Sequence, residues 1–344
     1  MIARICAVIA SGFVALVLAA QEPPEERALV ETQRAFARAI ARAKAYVVTI
    51  ETLGGTQPGG GKLFGDGAQP INPRAGFRQA VTASTTGIVV RADGLIATSL
   101  FTFATEPSVT TVVAADGKEY VGKLVGRDFS KGLALVKIDA AGLAVAPVAA
   151  RCETGQWALA LGRAYASGES SAHVGILSAT NRISGKALQT DAPTSPVNYG
   201  GPLIDLAGDV LGVIVPLSQR GSGIELYDSG IGFAIPLADV LKDVPILLKM
   251  KELHPGFLGV MLDPEYTGVG AKIKQVVPNT AAARAQLQAG DVITEVDGKP
   301  IESGSGLMFE MGRLYEGSNV VLTYVRGDKT LKHTAALGRR PEKE

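Results

Sequence analysis

Between Val81 and Pro236 the chain is written in short β-branched runs separated by turn signals, a rhythm that admits little besides paired all-β units. "TGIVV" and "LIATS" flank Asp93-Gly94, and "VTTVVAA" and "EYVGKLVG" flank Asp116-Gly117; such dipeptides supply the positive φ that a tight hairpin turn needs. "GLALVKI" closes this first set, assigned to a barrel over 81–145. A second set over 146–240 holds "WALALG", "HVGILSA", "LIDL", "VLGVIV" and "GIGFAIP". Two such sets in succession predict a pair of barrels or sandwiches with a cleft between them.

The flanks read differently. "MIARICAVIASGFVALVLAA" places Arg4 ahead of an apolar run ending in small residues, the pattern of a Sec-type signal over 1–20; an uncleaved membrane anchor is the alternative. Residues 21–52 carry a helix, with Leu29, Phe36, Ile40 and Val47 at roughly helical spacing and Arg34, Arg38 and Arg42 on another face, and a first strand. That basic stripe reads as a solvated face more readily than as a docking surface. A Gly/Pro-rich loop follows over 53–80, and 241–255 is a helical linker. Residues 256–338 alternate strands and two helices in a small α+β module, before a charged tail over 339–344.

Composition narrows the function. Without Arg4, 33 basic residues face 33 acidic ones, which gives no electrostatic ground for nucleic acid as a partner. Cys6 lies in the signal, so an exported chain keeps Cys152 alone and forms no internal disulfide. No metal-ligand spacing, phosphate loop or nucleotide fingerprint is present, and the expectation is no cofactor and no metal.

Four stretches in register, "TDAPTSPVNYGGPLIDLAGDVLGVIV", "GIGFAIP", "GFLGV" and "AGDVITEVDGKPI", resemble the HtrA/Do-type (DegP-like) proteins, which join a trypsin-like double β-barrel to a PDZ domain. The resemblance covers roughly Val81 to Leu337. It implies a mainly β fold: a double β-barrel, then a small α+β PDZ domain, with a short N-terminal helix. It also implies where a catalytic triad would stand, and each position departs from the family pattern. The family's "GNSGGP" loop is "VNYGGP" here, so Tyr199 replaces the serine and Val197 replaces a glycine of the oxyanion loop. The histidine position in "DGLIATSLFTF" is Phe101, and the carboxylate position in "GRDFSKGLALVKI" is Gly132. A trypsin-like protease needs a base to deprotonate its nucleophile, an acid to orient that base, and N–H donors for the oxyanion. Phenylalanine and glycine can serve as neither base nor acid, and an unaided tyrosine is about one part in a thousand phenolate at neutral pH. Phe101 and Tyr199 are expected to pack into the old cleft. His173, His254 and His333 fall outside the register of a triad base, and Ser195 without a base is inert.

The expected function is therefore binding. The resemblance places "GFLGV" at the loop and strand that capture a peptide end, so the N–H groups of Phe257, Leu258 and Gly259 are candidates for a terminal carboxylate, and Val260 begins the pairing strand. Leu307, Met308 and Met311, on the facing helix, are the pocket candidates. The reading is an exported, periplasmic or secreted pseudoprotease that binds peptide or protein C-termini in a chaperone-like, adaptor or quality-control role, with an active protease relative as a candidate partner. It has no membrane span once the signal is cleaved. Two alternatives stand: a serine-type endopeptidase or other hydrolase with a rearranged site, and a structural oligomer, since the family assembles as homotrimers.

Overall fold

The computed structural model describes residues 24–54, 82–104, 106–163, 170–217 and 230–341. The expected signal over 1–20 and all but the first two residues of the Gly/Pro-rich loop lie outside the described residues.

Helix α1 (Pro24–Ala43) leads into strand β1 (Val47–Leu53). β2 (Thr82–Arg91) and β3 (Leu95–Ser99) form a hairpin around Asp93-Gly94, where Gly94 has φ +91°. β4 (Val109–Val113) and β5 (Glu119–Val121) form another around Asp116-Gly117. β6 (Lys123–Asp128) and β7 (Leu133–Lys137) complete the first unit.

The second unit contains β8 (Trp157–Gly162), β9 (Ser171–Asn181), a short turn of helix α2 (Arg182–Gly185), β10 (Ala187–Thr190), β11 (Pro202–Ile204), β12 (Val210–Val215) and β13 (Gly232–Pro236). It closes as a barrel in the order β10-β13-β12-β11-β8-β9. Every residue of β3 and of β12 is buried. These runs, apolar but for Thr98 and Ser99, are covered on both faces because the two units share one core: Ile88, Ile96 and Leu135 of the first join Val213 and Ile235 of the second. Burying such side chains contributes about 1.5–3 kcal/mol each. A separate cluster of the second barrel includes Leu177, Leu203, Leu211, Ile214 and Tyr199, with Phe101 of the first unit packed against it.

Helix α1 is fastened to the second unit rather than left free. Phe36 meets the Trp157 ring edge-on at 5.5 Å, Arg42 pairs with Asp209 at 2.8 Å, and the Tyr46 hydroxyl donates to the Gly208 carbonyl at 2.7 Å. Arg34 and Arg38 are exposed.

Helix α3 (Leu237–Met250) follows, and the linker expected to be helical throughout ends differently. Lys251 turns left-handed at φ +67°, and β14 (Glu252–Leu253) then adds to β6 as a parallel strand. The unmet edge of β6 explains the change, since its Arg127 and Phe129 N–H groups find the Lys251 and Leu253 carbonyls. The first sheet therefore runs β14-β6-β7-β3-β2-β1-β4-β5.

The last module comprises β15 (Val260–Leu262), β16 (Ala271–Val276), α4 (Ala281–Arg284), β17 (Val292–Val296), β18 (Lys299–Pro300), α5 (Gly304–Gly312), β19 (Asn319–Arg326) and β20 (Lys329–Ala336). It has its own core, including Ile273, Ile293, Leu307 and Leu322.

Candidate functional site

The site begins where β3 ends. Ser99 caps a single 3-10 turn, Leu100–Phe103, by accepting the Phe101 N–H at 3.2 Å, and this aims the Phe101 ring at the second barrel. The Leu100 N–H donates to the Gly132 carbonyl at 2.8 Å, which brings the backbone beside Phe101 against Gly132. Gly132 has φ +69°, a conformation that side chains other than Asn and Asp rarely adopt. It is held there by the turn before it, in which Asp128 Oδ1 accepts the Ser130 and Lys131 N–H groups at 2.8 and 3.0 Å.

The "PVNYGGP" loop meets that corner from the other barrel. The Tyr199 ring lies 5.4 Å from the Phe101 ring at an interplanar angle of 74°, an edge-to-face pair of the kind worth about 0.5–1.5 kcal/mol beyond burial. Tyr199 is 6 % exposed and belongs to the interior of the second barrel. Its side chain thus packs as core where a nucleophile would face a substrate.

The backbone of the loop is folded in on itself. The Asn198 and Tyr199 N–H groups both donate to the Ser195 carbonyl, at 3.0 and 3.1 Å. An oxyanion hole needs the N–H at the nucleophile position aimed outward at the substrate oxygen; this one is engaged inside. Asn198 holds the turn, accepting the Ser195 N–H at 2.8 Å and donating to the Pro193 carbonyl at 3.1 Å. Val197 is not among the residues with positive φ, and its carbonyl accepts from the Thr86 hydroxyl at 2.7 Å. The two glycines serve close packing: a Cβ on Gly200, at φ +84°, would stand 2.2 Å from the Thr86 carbonyl oxygen, and one on Gly201 would stand 2.2 Å from that of Leu161.

The histidines are elsewhere. His173 lies on β9 opposite Ala160, His254 stacks on Phe129 at 4.6 Å, and His333 lies on β20 opposite Leu322. Cys152 is half-buried, and burial pushes its thiol up, away from a reactive thiolate.

The second candidate surface is in the last module, where β15 pairs, among the described strands, only with β16 and leaves an edge open. The Gly259 carbonyl accepts the Val277 N–H at 2.8 Å. Successive residues of a strand point their backbone groups in opposite directions, so Val260 presents its N–H and C=O to the open edge. Of the three expected carboxylate donors, Phe257 is otherwise engaged. Its N–H donates to the Gly338 carbonyl at 2.9 Å, and the Gly338 N–H returns a bond at 3.1 Å, because the segment after β20 pairs back onto this loop. Leu258 and Gly259 have no such N–H bond among the described residues. On α5, Leu307 and Met311 are buried in the core of the module, while Met308 is 50 % exposed.

One cluster has no signal in the sequence: Asp128, Lys131, Asp243 and Tyr315 meet at the junction of the barrels and the last module, across as many as 187 positions. Local patterns carry no information about such a separation.

Comparison with known proteins agrees with the architecture. Residues 85–213 match a trypsin-like peptidase domain and residues 256–337 a PDZ domain. A "probable periplasmic serine endoprotease DegP-like" of Halomonas elongata is 32% identical over 303 residues, covering 83% of this chain and 62% of that protein. The chain therefore spans less than two thirds of that relative's length. A protein of the same description from Chlamydia trachomatis is 30% identical over 383 residues, covering 99% of this chain and 74% of the relative. Among solved structures, "HtrA-type protease AlgW with tripeptide" is similar at TM-score 0.68 and 26% identity, covering 90% of this chain and 98% of that one. The serine endoprotease from Yersinia pestis is similar at TM-score 0.63 and 28% identity, covering 89% and 98%. With both domains matched in order and curated relatives at this identity, the chain belongs to the HtrA/DegP family of trypsin-fold proteins that carry a PDZ domain.

Proposed function

We propose that this chain is a non-catalytic family member that binds polypeptide C-termini through its PDZ domain. The observation that carries this reading is the corner built by Phe101, Gly132 and Tyr199. Two of the three positions hold no ionisable side chain, the third is packed as core, and the N–H that would stabilise an oxyanion is bonded to the Ser195 carbonyl. Nucleophile, base and orienting acid act as a unit, so losing all three leaves no partial machine.

The open edge of β15 supports a peptide-binding role, because strand addition needs outward backbone groups of the kind Val260 offers. The N–H groups of Leu258 and Gly259, unpaired among the described residues, suit a terminal carboxylate, and Met308 is the exposed apolar contact on α5. That a similar HtrA-type protease is described with a tripeptide fits the same reading. The relatives' description as periplasmic, with the apolar run after Arg4, supports a site of action beyond the inner membrane. Among the described residues no helix is long and apolar enough to cross a membrane. An active protease relative is a candidate partner, and a homotrimer the candidate assembly.

A second reading, endopeptidase activity through a rearranged site, is favoured by the relatives' description as serine endoproteases. A fluorophosphonate serine probe and an unfolded protein substrate separate the two. We expect neither labelling nor turnover; labelling that disappears on Ser195→Ala establishes the second reading instead.

A further inference from the structure

The PDZ domain meets the barrels through a buried polar cluster that neither peptide binding nor the barrel fold requires. Tyr315, just beyond α5, places its hydroxyl 2.7 Å from Asp243 Oδ2 on α3 and 3.0 Å from Asp128 Oδ2 at the end of β6. The Lys131 ammonium pairs with the same Asp243 oxygen. Asp128, Lys131 and Asp243 are 1 %, 7 % and 9 % exposed. Lys186, Asp239, Lys242 and Arg313 line the cavity beside Lys131 and Asp243, and further charged or titratable groups lie around the cluster. Lys186 donates to the Ser130 carbonyl and hydroxyl at 3.2 and 3.1 Å, Arg127 pairs with Glu252 at 3.6 Å, and His254 of the linker stacks on Phe129.

The hydrogens in this cluster do not suffice if both carboxylates are ionised. A phenol has one hydrogen, and two carboxylate oxygens face it. One added proton resolves the shortfall. With Asp128 protonated, its Oδ2–H donates to the Tyr315 oxygen, Tyr315 donates to Asp243, and Lys131 donates to Asp243, so each facing oxygen has a hydrogen.

We propose that Asp128 carries this proton in the docked molecule, and that the Asp128–Tyr315–Asp243–Lys131 chain is a proton-dependent latch fixing the PDZ domain against the barrels. Burial holds the Asp128 carboxyl above the usual carboxylate range, against the opposing pull of the Lys131 charge and of hydrogen bonds from the Lys131 and Ser130 N–H groups and the Tyr315 hydroxyl, and it raises the Tyr315 phenol so that it stays protonated. A released Asp128 is solvated and keeps its bonds from the Ser130 and Lys131 N–H groups, so it titrates no higher than an ordinary carboxylate. The docked state therefore binds more protons, so the latch contribution is complete below the ordinary carboxylate range and is lost as pH rises through the raised, docked-state value.

The rest of the junction makes loosening of the latch detectable as motion. α5 rests on α2, where Phe309 packs on Gly185 and Gly312 on Ser184. Ile183 and Ser184 both have positive φ there, 51° and 55°. Such backbone persists only when its surroundings hold it. Weakening the latch removes part of that support.

The test is an inter-domain distance measured with spin labels at Glu119→Cys and Lys329→Cys, both exposed, in a Cys152→Ala background, from about pH 5 to about pH 9. The parent protein is expected to give one narrow distribution at the acid end and a broader one at the alkaline end. Asp128→Asn, whose Nδ2 donates as the protonated acid would, should stay narrow throughout. Tyr315→Phe should be broad throughout, with circular dichroism confirming that it folds. A pH-independent parent, or an Asp128→Asn variant that broadens like the parent, overturns the proposal without recourse to Tyr315→Phe. A Tyr315→Phe variant as narrow as the acid-pH parent overturns it as well.

Discussion

Tyr199→Ser restores a hydroxyl but no catalyst, because Phe101 and Gly132 provide neither base nor acid to act on it. A sharper expectation concerns the triple substitution Phe101→His, Gly132→Asp, Tyr199→Ser. It rebuilds the triad chemistry yet leaves the Tyr199-position N–H bonded to the Ser195 carbonyl and Val197 in place of glycine. Loss of one oxyanion donor alone costs about 100-fold to 1,000-fold in rate, so peptidase turnover should stay at least about 100-fold below that of an active relative. Adding Val197→Gly is the step expected to raise it. A triple variant as active as a relative would show the loop refolds on its own. Gly200→Ala should destabilise the protein by about 2 kcal/mol or more, read as a denaturation midpoint, since a Cβ at φ +84° would strike the Thr86 carbonyl. The residues at the expected triad positions are legible in the sequence because each sits inside a local motif with fixed register. The inward turn of the Tyr199 N–H is not, because hydrogen-bond direction depends on Ser195 and Asn198 adopting one particular turn.

At the level of elements, hairpins are the most readable feature. Asp-Gly pairs force tight turns through local φ alone, as Asp297 and Gly298 do at φ 51° and 78° between β17 and β18. β14 is unreadable for the opposite reason: two residues become a strand only because β6 has an unmet edge. Helical periodicity likewise groups Leu307 and Met311 on one face of α5 but cannot say whether that face meets a ligand or the core; they meet the core. On the carboxylate loop, Gly259 has φ +87°, and a Cβ there would lie 2.2 Å from Thr280 Cβ. Gly259→Ala should therefore lower the PDZ melting transition and weaken C-terminal peptide binding at least about tenfold, a loss of about 1.4 kcal/mol. Titration of a fluorescent peptide with calorimetry checks both. At the other end of the chain, Arg42→Ala removes a half-exposed pair with Asp209 together with a bond to the Ala207 carbonyl, and the expected cost is about 1–2 kcal/mol.

Across the whole molecule, the shared core and the structured linker join three units that the sequence presents as successive segments. Ile88, Val213 and Val244 of the first barrel, second barrel and α3 fall in one cluster. On the proposed non-catalytic reading, this is how a trypsin-like scaffold would persist without its chemistry: the residues around the expected triad positions pack between the two units, and that packing does not depend on reactive groups. The same scaffold then holds a PDZ domain with an open strand edge. Binding without cleavage is tested by incubating the purified protein with a peptide ending in apolar residues, in free-acid and amidated forms, and recording anisotropy and peptide mass in the same sample. We expect saturable binding of the free acid, loss of binding on amidation, and an intact peptide mass throughout. Cleavage products that vanish with Tyr199→Ala or Ser195→Ala, or equal binding of the two forms, would contradict this.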